Sequence, residues 1–296
     1  MAASSLEVVT SERRRLGEGV RLRGFLRLLR SGKGTAGLLI VLLCAGTAFL
    51  APWISPHAPD ATDWSAVRQA PTPAHPFGTD DLGRDVLSRV LWGGRTSLLA
   101  GVLSVFLAMA VGVPLGLASG YFGGWLDEVV MRITDALLSF PFLILAIALA
   151  ATLGPSLGNV MIAIAVATTP VFLRLARGQA LAVREEDFVE AARAMGAPHH
   201  VILLRHVLPN CRTPIVVQAT SGIAAAIIAE SSLSFLGLGV QPPAPSWGSM
   251  LNVAKNFMGQ APWMAIWPGL FIFVTVMGFN LLGDGLRDLF DPRDQT

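Results

Sequence analysis

Residues 97–119 read SLLAGVLSVFLAMAVGVPLGLAS, a run without a single charged side chain. An α-helix rises about 1.5 Å per residue, so about 20 such residues cross the roughly 30 Å of a bilayer's hydrocarbon core. Outward from it, five further runs have the same character: Thr35 to Ile54, Val129 to Leu153, Val160 to Ala176, Pro214 to Leu236 and Trp263 to Leu282. The composition agrees, with 53% hydrophobic and 14% charged residues among 296, where soluble domains carry nearer a quarter charged (about 25%). The fold class this predicts is an all-α integral membrane protein with six transmembrane helices.

Six crossings return both ends of the chain to one side. Basic residues flanking short loops stay preferentially in the cytoplasm, and with a cytoplasmic N-terminus 17 of the 22 Lys and Arg residues fall inside. The expected organisation is a basic cytoplasmic tail over 1–34, a first transmembrane helix over 35–54 and an extracytoplasmic segment over 55–96. A core of five helices over 97–285 follows, with an inner loop at 179–212, then a cytoplasmic tail over 286–296. Within the first tail, VRLRGFLRLLR from Val20 to Arg30 sets Leu22, Phe25, Leu26 and Leu29 on one helical face. Both an interfacial anchor and a plain orienting tail account for it. The first apolar run begins too late and runs too long for a cleavable signal peptide, so it is expected to stay in the bilayer.

A net charge of +2 with no basic face gives no nucleic-acid footprint. Cys44 and Cys211 are too far apart in sequence and setting for a disulfide framework or a metal site. Gly112, Gly116 and Gly120 recur every four residues, which stacks small residues on one helix face and lets a neighbour approach closely. Pro114 and Pro141 interrupt the backbone ladder, as membrane helices tolerate where neighbouring protein or water meets the freed groups. Asp135, Glu230 and Asn280 stand in apolar surroundings, where a polar group needs a water-filled path, a partner chain or a helix end. The outer loop Gly239 to Pro262 reads as a rigid, partly re-entrant cap. In the outer segment, Asp80, Asp81 and Asp85 do not have the spacing of a calcium loop; local pairs of Asp81 with Arg84 and Asp85 with Arg89 are expected instead.

The longest inner loop, Gln179 to Arg212, contains EEDFVEAARAMGAPHHVILLRHVLPN. Glu185, Glu186 and Asp187 supply the negative first turn that a helix dipole favours. Ala191, Ala192 and Ala194 are strong helix formers, and Gly196 followed by Pro198 ends the helix. Small side chains at Ala191 and Ala192 would let this helix sit deep in a partner's groove, with Glu190 and Arg193 making polar contacts at its edge.

Glu190, Ala191 and Ala192, then Arg193, Met195 and Gly196, then Leu208-Pro209 resemble the EAA loop of ABC importer permeases. His206, two before the leucine, resembles the peptide-permease branch. GTDDLGRDVLSRVLWGGRTSL (78–98), AESSLSFLGLGVQPPAPSWGSML (229–251) and NLLGDGLRDLFDPR (280–293) match the same branch. The chain is thus similar, over most of its length after Thr35, to the C-type subunit of dipeptide, oligopeptide, glutathione or nickel importers.

The resemblance implies a type I importer permease in a bacterial inner (plasma) membrane. It implies a heterodimer with a second, homologous permease, two ABC ATPase subunits that hold ATP and Mg, and an extracytoplasmic substrate-binding protein. This chain itself would carry no cofactor or metal. The mechanism implied is alternating access, with closure of the ATPases pushing on the helix around Glu190 and rocking the spans.

Other classes fit less well. No HExxH is present, and GKGT at 32–35 lacks the first glycine and the final Ser or Thr of a phosphate-binding loop. Gly283-Asp284 invites comparison with an intramembrane aspartyl protease, for which Asp135 is the one candidate partner. A passive channel would not need the docking helix. The spans hold no cluster of soft metal ligands, which leans the substrate toward short peptides rather than nickel.

Overall fold

Apolar runs in lipid must satisfy their own backbone, so helices are the expected outcome. In the computed structural model, which describes residues 31–290, every regular element is helical apart from an isolated bridge between Thr79 and Asp85. The tail stretch Val20 to Arg30 lies outside the described residues.

In chain order the helices are α1 (Gly32–Ile54), α2 (Val86–Phe122), α3 (Gly124–Leu138), α4 (Phe142–Leu153), α5 (Leu157–Val183), α6 (Asp187–Ala194), α7 (His199–Phe235), α8 (Trp247–Ala254) and α9 (Trp263–Phe290). Five of them, α1, α2, α5, α7 and α9, are long and apolar enough to cross a membrane, and α3 with α4 passes the same test as a broken pair. This matches the six expected runs, with a correction at the third. Val129 to Leu153 is no continuous span: α3 and α4 meet at 91°. Pro141 has no N–H to give and precedes α4, so the ladder stops there.

Several expected boundaries also move. Helix α2 begins at Val86, inside the segment 55–96, because Asp85 caps it and Val86 and Val90 are buried. Helix α5 runs on to Val183 and α7 starts at His199, so the loop 179–212 is largely helical. Helix α9 continues to Phe290, past the expected tail boundary at 286. Apolarity marks where lipid ends, whereas the helical ladder continues until a cap or breaker stops it.

The most extensive seam joins α2 to α5, and the three glycines lie in it. A Cβ on Gly112 would stand 2.7 Å from the Thr169 carbonyl oxygen and one on Gly120 2.6 Å from that of Arg177, while one on Gly116 would overlap the Leu173 carbonyl. Only glycine lets the two backbones come this close. A buried cluster runs along this seam through Val105, Val113, Leu117, Ile164, Phe172 and Ala176, then on to Val189, Ala192, Ile202 and Val207 near α6.

At the other end the loop 239–262 folds into the bundle. Ser246 and Ser249 form a capping box at the start of α8, and Trp247 is 1% exposed. Its indole Nε1–H donates to the Val90 carbonyl at 3.0 Å and its backbone N–H to Ser97 Oγ at 3.3 Å. In the segment 55–96, Phe77 stacks on Trp267 at 3.7 Å and Trp263 Nε1–H donates to the Thr79 carbonyl at 3.1 Å.

Candidate functional site

Helix α6 is stopped by a Schellman turn. Gly196 sits at φ 76°, its N–H donates to the Arg193 carbonyl at 2.9 Å, and the Ala197 N–H reaches back to the Ala192 carbonyl at 3.1 Å. Any residue with a Cβ would be strained at that φ, which is why the stop falls on a glycine. Glu190, Ala191, Arg193 and Met195 are exposed around the rest of the helix, Met195 at 81%.

Ala192 is corrected here. It does not present its small side chain to a partner; it is 2% exposed and packs with Val189 in the chain's own core cluster. Their spacing puts both on one inward face of α6, leaving Glu190, Ala191 and Arg193 outward.

Two further contacts fasten α6 and the start of α7 to the end of α2. Tyr121 Oη lies 2.9 Å from His199 Nδ1, and the Arg193 guanidinium carbon sits 5.1 Å from the centre of the Tyr121 ring. Tyr121 is the only tyrosine in the chain, and nothing in its sequence neighbourhood marks it. Nearby, Asp127 of α3 takes two hydrogen bonds from Arg177 of α5, at 2.5 and 2.7 Å, and one from Ser119 Oγ at 2.5 Å. Arg184 closes this corner by donating to the Gly120 carbonyl at 3.0 Å. Asp127 and Arg177 are 50 residues apart, beyond any spacing rule, and were not among the expected site residues.

Helix α7 changes pitch over Leu203–Val207, which form a π turn immediately before Leu208-Pro209. Pro209 cannot donate, and its ring would press on the carbonyl four residues back. The wider turn relieves this: the Leu208 N–H goes to the Leu203 carbonyl, and Asn210 Nδ2–H donates to the His206 carbonyl at 2.6 Å. His206 lies within the π turn, its ring 6.4 Å from that of Phe188 on α6.

The three polar residues expected within the spans do not converge. Asp135 is exposed one turn before the end of α3 and pairs with Arg174 of α5 at 2.7 Å. Glu230 faces no water-filled path: it is 0% exposed, accepts from Ser234 Oγ at 2.7 Å, and lies by the serine that caps α8. Asn280 is exposed on α9. Asp135 and Asp284 form no mutual hydrogen bond or ion pair among the described residues, each being exposed on a different helix. The expected pair of Asp85 with Arg89 is replaced: Arg89 lies 3.3 Å from Asp80, Arg84 takes both Asp80 and Asp81, and Asp85 turns to the first turn of α2.

At the break between α3 and α4 a cavity of about 450 Å³ opens, lined by Phe140, Pro141, Phe142, Thr168, Val171, Gln218, Ser221 and Gly222 among others. Its surface is mostly apolar with a few hydroxyl and amide groups, the usual make-up of a small-molecule site. Phe140 and Phe142 remain 56% and 38% exposed on this face.

Residues 112–294 match the family described as the binding-protein-dependent transport system inner membrane component, and residues 23–71 match the N-terminal transmembrane domain of oligopeptide transport permease C. The chain belongs to this permease family. It is 47% identical over 90% of its length to the glutathione transport system permease protein GsiD of Pectobacterium atrosepticum, covering 89% of that protein. It is 44% identical over 91% of its length to the dipeptide transport system permease protein DppC of Alkalihalophilus pseudofirmus, covering 88% of it. The inward-facing MetNI methionine ABC transporter has the same fold, with a TM-score of 0.57 at 20% identity over 69% of this chain and 98% of the matched one. This permease is therefore a multi-pass inner-membrane translocation subunit of an ABC importer, not an enzyme; ATP hydrolysis belongs to a separate subunit, and a binding protein delivers substrate.

Proposed function

We propose that this permease imports short peptides, pairing with a second, homologous permease and resting on two ATPase subunits that bind ATP and Mg. The relatives support the substrate class, since one is a dipeptide permease and the other carries glutathione, itself a tripeptide. Coupling runs through α6, with Glu190, Ala191, Arg193 and Met195 facing the ATPase, Ala192 seating the helix, Gly196 ending it, and His206, Leu208 and Pro209 shaping the start of α7.

The observation that carries this reading is that α6 is exposed on its polar side yet rooted by Val189 and Ala192 in the cluster that lines the α2–α5 seam. A push on α6 is thereby delivered to the walls of the cavity rather than lost in a loop. The exposed face around Phe140 and Phe142 is the side on which a second permease would complete the path. Cytoplasmic N- and C-termini are supported by the bias of basic residues and by Lys33 lying 3.9 Å from Asp288, which brings the start of α1 and the end of α9 together.

The test is uptake into proteoliposomes by the reconstituted importer. Glu190→Lys is expected to lower uptake at least tenfold, about 1.4 kcal/mol of coupling, while the two permeases still co-purify. Unchanged uptake removes the coupling role. Native mass spectrometry of the complex with its binding protein then reads the substrate: bound di- or tripeptides support the proposal, whereas nickel or a nickel chelate overturns the substrate and keeps the transport class.

A further inference from the structure

The outer segment holds His57 and His75, two of the chain's five histidines, and the fold brings both to the aspartate that caps α2. His75 Nδ1 lies 3.0 Å from Asp85 Oδ1, and His57 Nδ1 lies 4.0 Å from Asp85 Oδ2. The imidazole rings stand 4.8 Å apart with 31° between their planes. One ligand atom from each of the three residues falls within 4.8 Å of the others. We propose that His57, His75 and Asp85 bind a divalent transition-metal ion of the zinc class at the outer end of α2.

The distances suit such an ion. Zinc bonds of about 2.0–2.1 Å in a tetrahedron separate the ligand atoms by about 3.3 Å, so the site closes on a metal with a side-chain adjustment of roughly an ångström. The donor set selects the ion: two imidazoles and one carboxylate suit zinc, cobalt or nickel, whereas calcium and magnesium favour oxygen throughout.

The carboxylate is already held in place. Asp85 Oδ2 accepts from the Ser88 N–H at 2.8 Å and from Ser88 Oγ–H at 2.7 Å, which leaves Oδ1 directed at His75. Outer hydrogen bonds of this kind orient metal ligands. The Asp85 side chain is 1% exposed, and no Lys or Arg nitrogen among the described residues comes within 4.0 Å of it, because Arg84 and Arg89 are taken by Asp80 and Asp81. A dication held with the two imidazoles would neutralise it. His57 is set beside the carboxylate by its backbone N–H, which donates to Ser88 Oγ at 3.1 Å, and its ring is 41% exposed, so a fourth position opens to water. Occupancy would tie the stretch after α1 to the first turn of α2, at the opposite end of that helix from Tyr121.

The experiment uses the full-length protein in detergent, free of any histidine tag and stripped of metal. Zinc is titrated by calorimetry, and cobalt alone is added as a spectroscopic reporter. The expected result is one ion per chain with visible cobalt absorption of a tetrahedral site. His57→Ala is expected to weaken zinc at least tenfold without changing the metal-free melting temperature, and His57→Cys to restore binding with a sulfur-to-cobalt band. His199→Ala, at the inner end, should bind as the unaltered protein does. The proposal is overturned if the unaltered protein takes up no zinc, or if His57→Ala binds zinc equally well. Should His57→Ala melt early, His57→Gln replaces it in the same comparison and the same two outcomes decide.

Discussion

Gly116 can turn only a hydrogen toward α5, because the Leu173 carbonyl occupies the space where a Cβ would stand. Backbone cannot yield as a flexible side chain does, so a larger residue must separate the helices. Gly116→Val is expected to destabilise the protein by about 1–3 kcal/mol, the cost of overpacking a filled interior. Thermal unfolding in detergent measures it, with Gly46→Ala as the comparison, since a Cβ at Gly46 meets nothing within 4 Å. An equal melting temperature for both variants would refute the close seam. The every-fourth-residue spacing made this contact legible in the sequence. The same kind of reading failed at Ala192, where smallness suggested outward docking: a small side chain is required as much under a helix as on its outer face, and composition alone does not say which way it points.

Among the elements, α6 was legible almost to the residue, because its acidic start, alanines and Gly196 stop act within one helical turn of where they stand. Gly196→Ala places a Cβ at φ 76°, at a cost of about 1–2 kcal/mol, and should let the last turn of α6 fray. Hydrogen exchange at the amides of Ala191 to Ala194 is expected to quicken, and less so for Gly196→Asn, since asparagine tolerates the left-handed region. Unaltered exchange in both variants would mean that the Schellman turn does not hold the helix. By contrast, α8 and the break at Pro141 were only half legible. The prolines announced an interruption, but the burial of Trp247 depends on the Val90 carbonyl and Ser97, more than 140 residues away in sequence. Arg89 likewise chose Asp80 over Asp85, because Asp85 was already claimed by the first turn of α2 and by His75.

For the molecule as a whole, the question is how a push at α6 reaches a cavity lined by Phe142, Thr168 and Ser221. Packed helices transmit displacement when their contacts leave no slack, and here two routes leave α6 together. One is the apolar cluster from Val189 and Ala192 through Ile202 and Val207 to Phe172; the other is polar, from Arg193 on α6 and His199 at the start of α7 to Tyr121 of α2. Tyr121→Phe cuts the second and leaves the first, since the ring that packs under Arg193 remains while the hydroxyl is lost. Removing one such hydrogen bond costs about 1 kcal/mol, so the number of substrates carried per ATP should fall about fivefold with ATP hydrolysis itself little changed. Simultaneous uptake and phosphate release in proteoliposomes give that ratio. If the ratio and both rates stay constant, transmission runs through the apolar route alone; if hydrolysis and uptake fall together at constant ratio, Tyr121 serves the docking of the ATPase rather than the rocking of the spans.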